Sequence, residues 1–159
     1  MTEKNDTKQL IDRLEATRNL SRDEWVRLIQ NRTADDADYL FERAQAVRTR
    51  HYGRSVYIRG LIEFTNYCKN DCFYCGIRKS NRNANRYRLT KEQILSCCEM
   101  GYALGFRTFV LQGGEDGSFT DDRLTDIISS IRTRWRACAI TLSVGERSYE
   151  SYKRLYDAG

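Results

Sequence analysis

The sequence predicts an α/β protein: about three β/α units of a TIM-type parallel barrel, set behind a helical leader. Three observations carry this. Three short runs rich in β-branched and aromatic residues stand at 56–65, 106–111 and 138–144. Each is followed by an amphipathic helical pattern, whereas the stretch before residue 53 carries helical periodicity only. Strands that alternate with helices pair in parallel, because each crossover returns the chain to the same end of the sheet. A closed barrel of this kind needs about eight units, so three units read as the N-terminal part of a longer barrel. An open three-stranded sheet is the alternative. The expected boundaries are a leader over 1–53 and a partial β/α barrel over 54–159.

The leader reads as three helices. The first, over about Thr7 to Asn19, places Leu10, Ile11 and Leu14 on one side. Ser21 with Glu24 has the spacing of a capping box, in which each side chain satisfies a free backbone N–H at a helix start. The helix it opens groups Trp25, Leu28 and Ile29. A third, over about Asp35 to Arg48, groups Ala37, Leu40, Phe41 and Ala44, and Gly53 marks its stop.

The β/α region begins with Val56 to Thr65 as a strand, then a polar cysteine-bearing loop from Asn66 to Arg88. Thr90 with Gln93 is a second capping box, opening a helix through Ile94, Leu95, Cys98 and Tyr102 that Gly105 ends. Phe106 to Leu111 is the next strand, closed by Gln112-Gly113-Gly114. Leu124, Ile127, Ile128, Ile131 and Trp135 then form a stripe at helical spacing. Cys138 to Val144 is the third strand, and Ser148 to Tyr156 the helix after it.

Composition narrows the class. Of 159 residues 40% are hydrophobic and 31% charged, which is neither a disordered nor a membrane composition. No run approaches the roughly 18 apolar residues of a membrane span, and Met1 to Gln9 is polar, so a cytoplasmic protein is expected. The net charge of +5 is too mild to imply nucleic acid. Six cysteines in a reducing compartment point to metal or redox chemistry rather than disulfides.

Three of the six stand together as Cys68-x3-Cys72-x2-Cys75, directly after the first strand. Such short spacers let three thiolates of one loop converge on one inorganic centre, and soft thiolates suit zinc, copper(I) or iron–sulfur chemistry. A structural zinc needs a fourth ligand, from Cys97, Cys98, Cys138 or His51. An electron-transfer cluster needs a fourth thiolate. The third reading is a 4Fe–4S cluster with three protein ligands and an open fourth iron.

At this loop the sequence resembles the radical S-adenosylmethionine superfamily, whose signature is C-x3-C-x2-C with an aromatic residue, here Tyr74, before the last cysteine. The resemblance implies metal ligands Cys68, Cys72 and Cys75, with S-adenosylmethionine chelated at the open iron and cleaved reductively to a 5′-deoxyadenosyl radical. It places Tyr74 beside the adenine. Gly113-Gly114-Glu115, after the second strand, resembles the superfamily's glycine-glycine-glutamate motif. Glycines there let the backbone approach a ligand, and a carboxylate can accept hydrogen bonds from its ammonium group. Ser143 and Glu146, after the third strand, are assigned by the same resemblance to the ribose or methionine end of the cofactor. A plain polar turn is the competing reading of that pair.

The wider flanks, Arg59 to Cys68, Asn85 to Leu89, Leu111 to Asp116 and Thr141 to Arg147, are similar to the E-type maturases of FeFe-hydrogenase, a family close to biotin synthases and methylornithine synthases. That similarity implies a small-molecule or organometallic substrate, a low-potential electron donor and partner maturases in assembly of the hydrogenase cluster. Biotin synthase-like and methylornithine synthase-like chemistry are the nearest alternatives. Gly117 stands where this group commonly carries proline.

Other residues have plainer readings. Cys97, Cys98 and Cys138 fit small buried hydrophobes, and His51 a surface or capping role. Arg59 and Glu63, placed on one strand face, suit either a substrate contact or a buried ion pair. Arg78, Lys79, Arg82, Arg86 and Arg88 read as a solvated basic loop. With only Tyr87 interleaved, a zinc-stabilised RNA-binding module is the contrasting hypothesis.

Overall fold

The computed structural model describes residues 4–159, and the side chains from Asp6 onward. The chain divides into two compact units, one ending at Val56 and the other beginning at Tyr57.

The first unit holds three helices, α1 (Lys4–Thr17), α2 (Arg22–Gln30) and α3 (Ala34–Tyr52). Ser21 and Glu24 form the expected capping box. A second box, Thr33 with Asp36, starts α3, and Gly53 caps its end. The small core is Leu10, Ile11, Leu20 and Leu28, with Leu14, Tyr39 and Leu40 packed against it. Ile29 and Phe41, expected on the packed faces, are 65% exposed, and Trp25 is 38% exposed. Leu28 and Leu40 fill the available core without them. His51 lies in the last turn of α3 and is exposed.

The second unit is a parallel three-stranded sheet in the order β1-β2-β3: β1 (Gly60–Thr65), β2 (Thr108–Gly113) and β3 (Ala139–Ser143). Helices α4 (Lys91–Ala103), α5 (Asp121–Arg134) and α6 (Tyr149–Asp157) alternate with the strands. Ser148 and Thr120 cap α6 and α5, and Thr90 with Gln93 forms the expected box at α4.

The core lies on one face of the sheet. Ile62 and Phe64 of β1 and Phe109 and Leu111 of β2 meet Ile94, Leu95 and Cys98 of α4 and the Leu124, Ile127, Ile128, Ile131 stripe of α5. The opposite face carries Leu61, Glu63, Gln112, Thr141 and Ser143, all exposed. Parallel sheets are covered on both faces in complete domains, and one clad face with one open face is the condition of a barrel-wall segment.

The strand expected from Val56 starts only at Gly60. Val56, Tyr57 and Ile58 have the composition of a strand but precede the β1–β2 ladder, which begins at Gly60, and all three are exposed. Arg59 is therefore outside β1. Both Arg59 and Glu63 are exposed, so they do not form the buried ion pair that was one of the two readings.

Candidate metal centre

β1 delivers the chain into the cysteine loop. Cys68 and Cys75 are half-buried, Cys72 is exposed, and all three thiols are free. The Cys75 N–H donates to the Cys72 carbonyl at 3.0 Å, so the last two cysteines share a tight turn. The loop folds back on itself through the Lys79 N–H to the Asn70 carbonyl (2.8 Å) and the Ser80 N–H to Asp71 (3.0 Å). The bonds from Ser80 lower the Asp71 carboxyl below its ordinary range. At the tip, Phe73 is 95% and Tyr74 93% exposed.

Arg86, expected in a solvated loop, instead organises the loop from inside. Its guanidinium donates to the carbonyls of Asn66, Ile77 (2.8 Å), Arg78 (2.6 Å) and Asn81 (3.2 Å). A guanidinium offers five donors in a rigid fork, so one side chain gathers both ends of the loop. Residues 87–89 then run antiparallel beside the end of β1: Thr65 bridges Arg88, and the Leu89 N–H donates to the Phe64 carbonyl at 2.8 Å.

The turn after β2 packs directly on the start of this loop. A β-carbon on Gly114 would lie 2.2 Å from the Tyr67 carbonyl oxygen and 2.8 Å from the Cys68 Cβ. Only glycine permits that approach. The Lys69 N–H donates to the Glu115 carbonyl at 3.0 Å. The Glu115 carboxylate, half-buried, accepts from Asn70 Nδ2 (2.7 Å) and pairs with Lys69 Nζ (3.0 Å). Gly145, in the turn after β3, has a φ of +82° and lies against the Glu115 stem. Ser143 ends β3, and both it and Glu146 are exposed.

Asp116 is the buried charged residue beside the candidate site that motif reading alone passes over. It is 8% exposed. Burial alone would raise its carboxyl, but hydrogen bonds from the Arg88 guanidinium, the Ser118 N–H and the Thr65 hydroxyl outweigh that and hold it at about 2. The signal available in the sequence was Asp116 beside Glu115, with a fork-donating arginine in the preceding loop.

Among the described residues no three Cys, His, Asp or Glu side chains converge closely enough to hold a metal ion. The donor set nevertheless suits an iron–sulfur cluster: three free soft thiols within eight residues of one loop, against a glycine turn whose backbone abuts Cys68. The fourth ligand that zinc requires is poorly supplied. Cys98 and Cys138 are wholly buried in the core, and burial pushes the Cys98 thiol up to about 12. Cys97 is exposed on α4, contrary to its reading as a buried hydrophobe. No helix among the described residues is long and apolar enough to cross a membrane.

No protein-family model matches the chain. It is 40% identical over 120 residues to the [FeFe] hydrogenase maturase subunit HydE of Thermotoga maritima, a match covering 76% of this chain and 34% of that protein. It is 30% identical over 115 residues to 3-methylornithine synthase of Methanosarcina acetivorans, covering 71% and 33%. The crystal structure of the FeFe-hydrogenase maturase HydG from Carboxydothermus hydrogenoformans superposes with a TM-score of 0.82 at 26% identity, over 98% of this chain and 36% of that one. The chain spans about a third of the length of the curated relatives it matches.

Proposed function

We infer that this chain, a relative of the radical S-adenosylmethionine enzymes represented by HydE and methylornithine synthase, carries the cluster- and cofactor-binding portion of such an enzyme. The observation that supports this most is the packing of the Gly113-Gly114-Glu115 turn on Cys68, at the mouth of a C-x3-C-x2-C loop with three free thiols. Catalytic groups of β/α barrels sit at the C-terminal ends of the strands, and all three candidate segments leave from those ends here.

Cys68, Cys72 and Cys75 would hold a 4Fe–4S cluster. When bound, that cluster supplies an open iron for S-adenosylmethionine and the electron that cleaves it to a 5′-deoxyadenosyl radical. The chain's own part is to bind and orient. The Glu115 carboxylate, already aimed by Asn70 and Lys69, accepts the cofactor's ammonium. Gly113 and Gly114, whose missing side chains let the turn close on Thr65, Tyr67 and Cys68, present their backbone to its methionine moiety. Ser143 and Glu146 serve the ribose or methionine end, and the exposed Tyr74 lies beside the adenine.

The 40% identity to HydE supports a place in FeFe-hydrogenase maturation; the substrate on this reading is an organometallic iron precursor, processed with partner maturases and a low-potential electron donor. The methylornithine synthase match makes a small organic substrate the second reading.

Anaerobic reconstitution with iron and sulfide tests the core of this. The expected product is brown and holds about four irons per chain, and Cys72→Ala removes them. A colourless protein with one bound zinc would overturn the proposal and favour the zinc-stabilised module.

A further inference from the structure

We propose that Arg88 and Asp116 are a positioning pair that keeps the Cys68 loop in register with the Gly113–Glu115 turn. The proposal rests on the reading of these two segments as one cofactor site, and adds to it two residues that touch neither cluster nor cofactor.

The two segments run side by side. The Gly114 N–H donates to the Thr65 carbonyl at 3.4 Å and the Lys69 N–H to the Glu115 carbonyl at 3.0 Å. Two such backbone bonds, one of them long, leave a joint that side chains must hold. Arg88 and Asp116 stand at that joint. Arg88 Nε lies 2.6 Å from Asp116 Oδ2 and Arg88 Nη2 lies 3.0 Å from Asp116 Oδ1, a two-pronged pairing of planar groups. The same guanidinium covers the Tyr67 ring at 3.8 Å. Tyr67 immediately precedes Cys68, and Asp116 immediately follows Glu115. One side chain therefore grips the neighbour of the first thiol and the neighbour of the carboxylate.

The rest of the network points to the same joint. The Thr65 hydroxyl donates to Asp116 at 2.8 Å and itself accepts from the Tyr67 N–H at 3.2 Å. The Ser118 N–H gives Asp116 a further bond at 3.0 Å. A buried carboxylate with four donors is fixed in place, and the backbone on either side of it is fixed with it. Lysine cannot supply the fork or the stacked plane together, so arginine is the residue the geometry requires at 88.

The test compares the wild-type chain with Arg88→Met, which keeps a stem over Tyr67 but loses the fork, and with Arg88→Lys and Asp116→Asn. Two quantities are read: amide hydrogen exchange at Lys69 against that at Phe109 and Leu111, and the dissociation constant for S-adenosylmethionine after cluster reconstitution. Arg88→Met is expected to speed exchange at Lys69 about tenfold with the core amides unchanged. It is also expected to weaken the cofactor about tenfold at unchanged iron content. Arg88→Lys recovers part of both. If Arg88→Met does not fold, Asp116→Asn carries the comparison. Exchange at Lys69 equal to wild type in a folded variant overturns the proposal. So does faster exchange at Lys69, Phe109 and Leu111 alike, which would mark a general stabilising role. A wild-type chain that takes up no cluster and no cofactor defeats the functional reading instead, while the exchange at Lys69 still decides the pair.

Discussion

Gly145 lies so close to Glu115 that a β-carbon there would stand 2.2 Å from the Glu115 Cγ. The turn after β3 is thus shaped around the carboxylate that follows β2. With its φ of +82°, Gly145 also adopts a backbone conformation that side-chain-bearing residues rarely take. Gly145→Ala is expected to cost about 1–3 kcal/mol of stability and to push Glu115 off its bonds to Asn70 and Lys69. Urea unfolding measures the first effect and cofactor titration the second. A variant with wild-type affinity for S-adenosylmethionine would dissociate this packing from the site.

The Asp116 carboxyl titrates at about 2, below its reference value of 3.8. A folded-state value below the unfolded one stabilises the protein above the unfolded value, and the stabilisation fades as pH falls towards the folded value. The expected loss is about 2 kcal/mol between pH 4 and pH 2. Unfolding free energies of wild type and Asp116→Asn, measured across that window, should converge as the pH drops. Parallel curves would show that Asp116 is not the group responsible.

Tyr74 and Ile131 should separate binding from folding. Tyr74 is 93% exposed and Ile131 wholly buried. Tyr74→Ala is expected to leave the unfolding midpoint unchanged and to weaken S-adenosylmethionine. Ile131→Ala is expected to cost about 2–5 kcal/mol, because the void it leaves lies between α5 and the sheet. A stability loss at Tyr74 comparable to that at Ile131 would contradict the assignment of the loop tip to ligand binding.

Arg86 should behave as part of the loop's frame. Arg86→Met removes donors from four carbonyls, at a cost of about 1–3 kcal/mol, and is expected to lower iron uptake at constant sulfide and to open the loop to proteolysis between Asn70 and Asn81. Full iron content with an intact loop would show that the cysteines need no such frame.

Much of this was legible in the sequence. The Leu124–Ile131 stripe, the capping boxes at Ser21 and Thr90, and the three-cysteine loop are local patterns, fixed by periodicity and spacing within a few residues. Misreadings arose where partners distant in sequence decide. Val56–Ile58 has strand composition, but the ladder to β2 is set by Phe109 and its neighbours and begins only at Gly60. Arg86 and Arg88 look like solvated charge until the carbonyls of 66–81 and the carboxylate of Asp116, 28 residues further on, are brought to them. Thr33 opens α3 with an aspartate where the usual box carries glutamate or glutamine, and so escaped the pattern.

Strand order in the sheet follows chain order, β1 then β2 then β3. Each strand docks on the one synthesised just before it, and none must wait for a later neighbour to be inserted between. Helices that carry their own caps, and pairings that close only over a single crossover, keep sequence separation short. Such a chain can consolidate from its N-terminal side while translation continues. The cysteine loop, anchored at β1 and completed by the turn after β2, would then be in position after only two of the three units had emerged from the ribosome.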